Sequence, residues 1–241
     1  MSLLVNTKYR TDATEIMDDF SIKGELLHDS LDKLAHINTW LGGNQVTING
    51  LKNILKNHPK NQPLKIMDLG CGGGDILRDV AMFGKRNQYQ FELIGIDANK
   101  ATVDYASKLS EGYENISFLH LDIFSEAFNN LEYDVVLGTL FLHHFKEDEL
   151  IILLKNLLNK TKIGIVINDL HRHKMAYYLF KILCLTISNK MIIEDGLTSV
   201  LRGFKKSEIE HISNKIHAKY SVNWKWAFRY QWILQKHHNN I

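Results

Sequence analysis

The feature that most constrains the fold is Leu64-Lys65-Ile66-Met67-Asp68-Leu69-Gly70-Cys71-Gly72-Gly73-Gly74-Asp75, answered further on by Ile94-Gly95-Ile96-Asp97-Ala98-Asn99. It reads as a buried strand, a glycine turn, a helix start, and a second strand ending on an acid. Glycines permit the tight turn and let a ligand touch main-chain N–H groups, because Cβ atoms would obstruct both. Asp97, at the carboxyl end of the second strand, can accept both hydroxyls of a ribose. The pair predicts a ligand that carries a nucleoside.

The loop narrows the ligand further. Gly70, Gly72 and Gly74 fall as G-x-G-x-G, one residue tighter than the G-x-G-x-x-G of dinucleotide binders, and Asp68 precedes them. A carboxylate there repels a pyrophosphate and suits a ligand with an ammonium group. The chain has no G-x-x-x-x-G-K-[ST], so a triphosphate loop has no support. In these residues the sequence resembles the class I S-adenosylmethionine-dependent methyltransferases, whose signature is a hydrophobic strand, D-x-G-x-G-x-G, and a second strand ending in an acid. The resemblance runs through ordered motifs from about residue 64 to 170. It implies S-adenosyl-L-methionine as cofactor, with Asp68, Gly70, Gly72, Gly74, Asp97 and Ala98 among the residues that hold it.

Two later runs extend the series, Ile116-Ser117-Phe118-Leu119-His120-Leu121-Asp122-Ile123-Phe124 and Tyr133 through Val135-Val136-Leu137-Gly138-Thr139 to His143-His144-Phe145. Each is a short apolar stretch ending at a polar group, as a parallel strand buried on both faces presents its carboxyl end. The resemblance implies that Asp122 bonds the adenine amino group and that the backbone N–H of Ile123 meets a ring nitrogen. Read without it, Asp122 is a helix cap before Ser125-Glu126. Thr139, closing the fourth run, joins the expected cofactor residues.

Strand and helix alternate along the chain: 64–69, a helix from Gly74, 91–96, a helix from Lys100, 116–119, 133–137, a helix over 147–159, then 163–167. Such alternation means an α/β protein with a parallel sheet covered by helices on both faces. Period-two aromatics in Tyr220-Val222-Trp224-Trp226 and Phe228-Tyr230-Trp232-Leu234 predict an antiparallel pair, after a helix from Lys206 to Ile216. The resemblance completes this to a Rossmann-like, seven-stranded, mostly parallel sheet with an antiparallel C-terminal strand pair, plus an N-terminal helical cap. The cap is expected over 1–62, where Leu27, Leu31, Leu34, Ile37, Trp40 and Leu41 recur at helical spacing and Thr47 can cap a second helix. The methyltransferase domain is expected over 63–241, with a lid-like insertion at 168–203 whose Glu194-Asp195-Gly196 supplies a turn able to act as a hinge. Asn168-Asp169-Leu170-His171-Arg172-His173, Ala176-Tyr177-Tyr178 and the later run to Phe204 resemble a small-molecule subgroup that tailors polyketide or quinone-like metabolites.

Composition excludes several alternatives. With 241 residues and 45% hydrophobic content, the chain can bury one sizeable core with an appendage. Its two cysteines, Cys71 and Cys184, are too few and too far apart for a disulfide framework or a cysteine metal site, and point to a reducing cytoplasmic setting. Leu3-Leu4-Val5 is too short for a signal peptide, and no run reaches the ~18 apolar residues of a membrane span. A net charge of +2 without a basic stripe argues against nucleic acid as a partner. The only prolines, Pro59 and Pro63, precede the glycine loop, so neither [DNS]-P-P-[YFW] nor a Pro-Cys nucleophile pair exists.

Chemistry is expected where the first, fourth and fifth strands end. His143, His144 and His171, with His173 nearby, follow two of them, and a histidine there can take a phenolic proton near neutral pH. Each has the plainer reading of a helix cap or surface imidazole. A metal site is not expected, since adjacent imidazoles diverge from a helix start and no H-x-x-x-H spacing is present. Magnesium-dependent catechol-type enzymes place an acid after strand four, where this chain has Gly138-Thr139-Leu140. Arg10, beside Tyr9, is a candidate partner for the cofactor's carboxylate, and Trp40, Tyr177 and Tyr178 are candidates to stack on a flat acceptor. The expected function is methyl transfer to a small, largely apolar acceptor, phenolic or quinone-like, with O-methylation favoured over C- or N-methylation. The rivals are an RNA methyltransferase and an inactive cofactor-binding interaction subunit. No stable membrane insertion is expected, and the candidate assembly is a homodimer.

Overall fold

The computed structural model describes residues 5–237. The apolar runs form the strands β1 (Leu64–Leu69), β2 (Phe91–Asp97), β3 (Ile116–His120), β4 (Val135–Thr139) and β5 (Gly164–Leu170), all parallel. The tail adds β6 (Lys219–Lys225) and β7 (Arg229–Gln235), antiparallel to each other, with β7 also antiparallel to β5. The order across the sheet is β3-β2-β1-β4-β5-β7-β6. This is the expected Rossmann-like sheet, and its strand order reverses direction between β1 and β4, which opens a crevice beyond their carboxyl ends.

Successive side chains of a strand point to opposite faces, and here each face has its own core. Ile66, Leu93, Val135, Leu137 and Val166 belong to one cluster, shared with Leu51, Leu55, Leu77 and Val80. Met67, Leu69, Val136, Ile165 and Ile167 belong to the other, shared with Leu150, Leu154, Leu157, Ile209, Ile212 and Trp232. The first face is therefore covered by α2 (Gly43–Ile54) and α3 (Asp75–Asn87), the second by α6 (Glu147–Lys160) and α9 (Lys206–Lys215). The remaining helices are α1 (Glu25–Trp40), α4 (Lys100–Leu109), the single turn α5 (Glu126–Asn129), α7 (Lys174–Leu183) and α8 (Lys190–Arg202).

Three local expectations are corrected. Thr47 does not cap α2; the helix opens four residues earlier, after Gly42 in a left-handed conformation, and the Thr47 hydroxyl lies 2.8 Å from that of Thr139 at the end of β4. Glu194-Asp195-Gly196 is not a turn but the middle of α8, where a Cβ on Gly196 would stand 2.3 Å from the Phe180 ring. The glycine lets α7 press against α8 rather than hinge away from it. Finally, the apolar run from Met175 to Ile187 predicts one helix that, with the N-terminal cap, encloses the acceptor; the helix instead gives way after Leu183 to a 3-10 turn, and Met175, Leu179, Ile182 and Leu185 are exposed to solvent.

Candidate active site

The glycine loop sits where β1 hands over to α3. Gly72 takes φ +50°, a conformation that favours glycine, and has only the tip of Leu31 near the place a Cβ would occupy. Its N–H donates to Asp97 Oδ2 at 3.2 Å, while Asn99 N donates to Asp97 Oδ1 at 2.9 Å. The acid of the second strand is thereby held against the loop with lone pairs left on both oxygens, as a ribose diol requires. Asn99 also caps α4 by accepting from Ala101 and Thr102.

Three carboxylates crowd this end of the sheet. Burial pushes Asp68 well above the usual carboxylate range, and the charges of Asp75 and Asp97 push it further. Burial likewise raises Asp75 and Asp97. Asp68 Oδ1 is buried without a hydrogen-bond partner. Such a cluster favours a cationic ligand, and an S-adenosylmethionine, with its ammonium and sulfonium, fits it. Asp122, exposed beyond β3, bonds Phe124 N at 2.9 Å through one oxygen, and Ile123 is buried beside it. The structure thus gathers Asp68, Gly70, Gly72, Gly74, Asp97, Ala98, Asp122, Ile123 and Thr139 along the carboxyl edge of β1 to β4.

The chain leaves β4 through Leu140, a non-glycine residue at φ +52°, with its N–H bonded to Asn168 O of β5 at 2.8 Å. A residue held in that region stores strain and redirects the chain beyond it. Phe141 is thrown onto the loop, close enough that a Cβ on Gly70 would lie 2.1 Å from its ring. The 3-10 turn Leu142–His144 then turns two imidazoles towards the N-terminal segment.

These imidazoles differ in kind. His143 is 1% exposed, with Nδ1 2.7 Å from Asp169 and Nε2 3.4 Å from Glu15. Burial alone would lower its pKa, but the charge and hydrogen bond of Asp169, joined by Glu15, override this and raise it to about 9. Sealed from solvent and already protonated at neutral pH, His143 holds two carboxylates together; the expectation that it takes a substrate proton is corrected on that ground. His144 keeps part of its ring exposed; Nδ1 is 2.7 Å from Asp18, and Nε2 is 3.9 Å from Glu15 Oε2. His171 lies apart, its ring tilted against those of His173, Tyr230 and Phe228, and burial with nearby cations lowers it to about 4. It is a neutral, weak base.

Glu15 and Asp18 carry no spacing signal in the sequence, and neither do the partners that fix them. Asp195 of α8 accepts Ile16 N at 2.6 Å and Met17 N at 3.0 Å, Ser199 Oγ donates to Glu15 at 2.8 Å, and Arg202 reaches Asp18 at 2.7 Å. Arg10, expected at the glycine loop, instead donates to the carbonyls of Arg202 at 2.7 Å and His143 at 2.5 Å, with its guanidinium over the Phe204 ring. Its charge is spent within this network. Trp40 is 70% exposed at the end of α1 and lines no enclosed wall, while Tyr178 takes a hydrogen bond from Val5 N and stands edge-on to Tyr177.

Glu15, His143 and His144 each offer a possible metal ligand atom within 4.8 Å of the others. The expected divergence of adjacent imidazoles does not hold, since the 3-10 turn brings their ring centroids to 4.5 Å. Charge argues for protons there: Arg202 is 3.6 Å from Glu15, and the His143 imidazole, raised to about 9, lies between Asp169 at 2.7 Å and Glu15 at 3.4 Å.

A family model described as "Methyltransferase domain" matches residues 60–236. The ubiquinone biosynthesis O-methyltransferase of Rickettsia bellii is 31% identical over 140 residues, 56% of this chain and 55% of the relative. The chain thus matches along about half the length of that curated relative. Among solved structures, the plantazolicin methyltransferase BpumL in complex with SAH is similar with a TM-score of 0.64 at 18% identity, covering 86% of this chain and 89% of the other. Human N-acetylserotonin methyltransferase in complex with SAM gives 0.61 at 12% identity over 90% and 57%. At such identities the structures show a shared fold. Among the described residues no helix is long and apolar enough to cross a membrane.

Proposed function

The chain belongs to the methyltransferase-domain family, whose cofactor is S-adenosylmethionine, and from that premise we propose that it methylates a hydroxyl of a small, flat, largely apolar acceptor. The observation that carries the choice of a hydroxyl is the His144–Asp18 pair, 2.7 Å apart, on the one histidine of the cluster with an exposed ring edge.

When bound, S-adenosylmethionine supplies a methyl group already activated by its sulfonium. The residues then have two tasks, orientation and proton removal. Asp97, held by the Gly72 N–H, would take the ribose hydroxyls, and the acids at Asp68 and Asp75 would favour the cationic end. Phe141, which the strained turn at Leu140 sets against Gly70, gives the glycine loop an apolar neighbour. His144, its Nδ1 oriented by Asp18, has Nε2 available to receive the acceptor's proton as its oxygen becomes a nucleophile, as a histidine–carboxylate pair does. Support for an oxygen acceptor also comes from the O-methyltransferase relative.

The test is incubation of the protein with methyl-labelled S-adenosylmethionine and a panel of phenols, catechols and hydroquinones. Label is expected in an aryl methyl ether. Label at carbon would replace the hydroxyl reading, label in added RNA would favour the rival substrate, and cofactor binding without transfer to any acceptor would favour the interaction subunit.

A further inference from the structure

The first turn of α2 and the side chain of Arg229 meet at one buried point. The opening N–H groups of a helix have no partner within it, and α2 starts at Gly43 after Gly42, with no side chain capping it. Such an end carries a partial positive charge. Arg229, at the start of β7, is 3% exposed, and its Nε and Nη1 are buried without a hydrogen-bond partner. A Cβ added to Gly43 would lie 2.9 Å from the Arg229 Cζ, so the glycine is what allows the guanidinium to press against the helix end.

Two positive groups brought together away from water are unfavourable unless an anion joins them. Burial lowers Arg229 to about 10, so it stays charged at neutral pH. The acid whose charge acts on it, Asp169, is already committed, bonding His143 Nδ1 at 2.7 Å, His143 N at 3.1 Å and Leu170 N at 2.7 Å. Asn38 Oδ1 lies at the same point, also buried and unpartnered, but a neutral amide does not discharge a guanidinium.

The point borders the crevice. Asn168 at the end of β5 donates to Gly43 O at 2.9 Å and to Thr47 at 3.1 Å, and Thr47 meets Thr139 of β4. On the other side, Asn44 of the same helix turn donates to Asp75 at 3.1 Å. We propose that Arg229 and the first turn of α2 form a binding site for a carboxylate. A guanidinium fork and converging N–H groups match a planar anion. Within the methyltransferase reading, on which only the source depends, the carboxylate is either that of the cofactor's methionine end or one carried by the acceptor.

The full chain and its Arg229→Met variant are compared in two arms. In the first, calorimetry measures S-adenosylhomocysteine and 5′-methylthioadenosine, which lacks the amino-acid end. In the second, thermal melts at matched ionic strength compare benzoate with benzyl alcohol, with and without S-adenosylhomocysteine. If the carboxylate is the cofactor's, the variant binds S-adenosylhomocysteine roughly 10- to 100-fold more weakly with methylthioadenosine unchanged, and benzoate competes with S-adenosylhomocysteine. If it is the acceptor's, S-adenosylhomocysteine binding is unchanged, and benzoate raises the melting temperature of the loaded wild type but not of the variant. Absence of any Arg229-dependent binding in both arms overturns the proposal. Should Arg229→Met not fold, Arg229→Lys, which keeps the charge and loses the fork, replaces it, and undiminished binding by that variant in both arms overturns the proposal. Failure of the wild type to bind either nucleoside, with an Arg229-dependent response to benzoate, would refute the methyltransferase reading and leave this site standing.

Discussion

The carboxylate of Asp97 accepts the N–H of Gly72 at 3.2 Å, tying the end of the second strand to the middle of the loop that succeeds the first. The two halves of the cofactor crevice are therefore set before any ligand arrives. Asp97→Ala removes the proposed ribose acceptor and this tie together, and is expected to weaken S-adenosylmethionine binding by about 1.5–3 kcal/mol. Asp97→Asn, which keeps an oxygen but not the charge, should lose less. Calorimetry on folded variants checks both, and unchanged affinity for Asp97→Ala would remove Asp97 from the site.

The ion-pair network around His143 makes stability depend on pH with a definite sign. Its folded pKa of about 9 lies above the ordinary 6.5, so its contribution is complete below about pH 6.5 and is lost as the pH rises through 9. Glu15 and Asp169 are lowered despite burial by the same histidine, so theirs is present above the usual carboxylate range and lost in acid. Urea melts are expected to show a plateau from about pH 5 to 6.5 and a decline towards pH 9, on the order of 1–3 kcal/mol. His143→Gln should flatten that decline while costing about 3–5 kcal/mol at pH 6, because it removes the cation that lies between two buried acids.

His144 and His143 should separate in kinetics. His144→Ala is expected to lower the methylation rate of a phenol about 10²–10⁴-fold with little change in cofactor affinity, and Asp18→Asn to lower it less. Stopped assays across pH 6–9 with calorimetry as control decide this. A His144 variant as fast as wild type would mean that the acceptor arrives already ionised or is methylated at carbon.

Gly196 and Phe180 should show strong coupling. Gly196→Val pushes a side chain into the ring that lies 2.3 Å from the position of its Cβ, and overpacking of this kind costs about 1–3 kcal/mol. Phe180→Ala in the same chain should recover part of that loss, giving a non-additive double-mutant cycle. Trp40→Ala, at a residue 70% exposed, should change stability by less than about 0.5 kcal/mol and leave KM unaltered.

The cofactor half of the molecule was legible because its signals are local. Strand β1, the glycine turn and the start of α3 are contiguous in sequence, and β2 was placed by an acid at its end. The face of each strand was not legible, since runs buried on both sides have no alternation to read. The acceptor half was legible only as candidate residues. His143 and His144 are neighbours in sequence, yet one is buried between Asp169 and Glu15 and the other faces Asp18, partners 26 to 128 positions away. Arg229 reads as one solvated basic residue in an aromatic strand until Gly43 is seen against it. Glu194-Asp195-Gly196 has a turn's composition but serves close helix packing, which overrides propensity.

The stitching of the N-terminal segment to α8 also sets an order of assembly. Glu15 and Asp18 leave the ribosome 184 residues before Ser199 and Arg202, their respective partners. At about 5–20 residues per second, the interval is roughly ten to forty seconds. His143 and His144 reach the segment 126 to 128 residues after it, once the glycine loop and its strand partners β2 and β4 are made, and only α8 completes the ties. The nascent chain therefore makes the glycine loop and its strand partners well before the contacts that fix Glu15 and Asp18 beside His144, so a chain stalled before α8 would hold the loop with that side of the molecule unfastened.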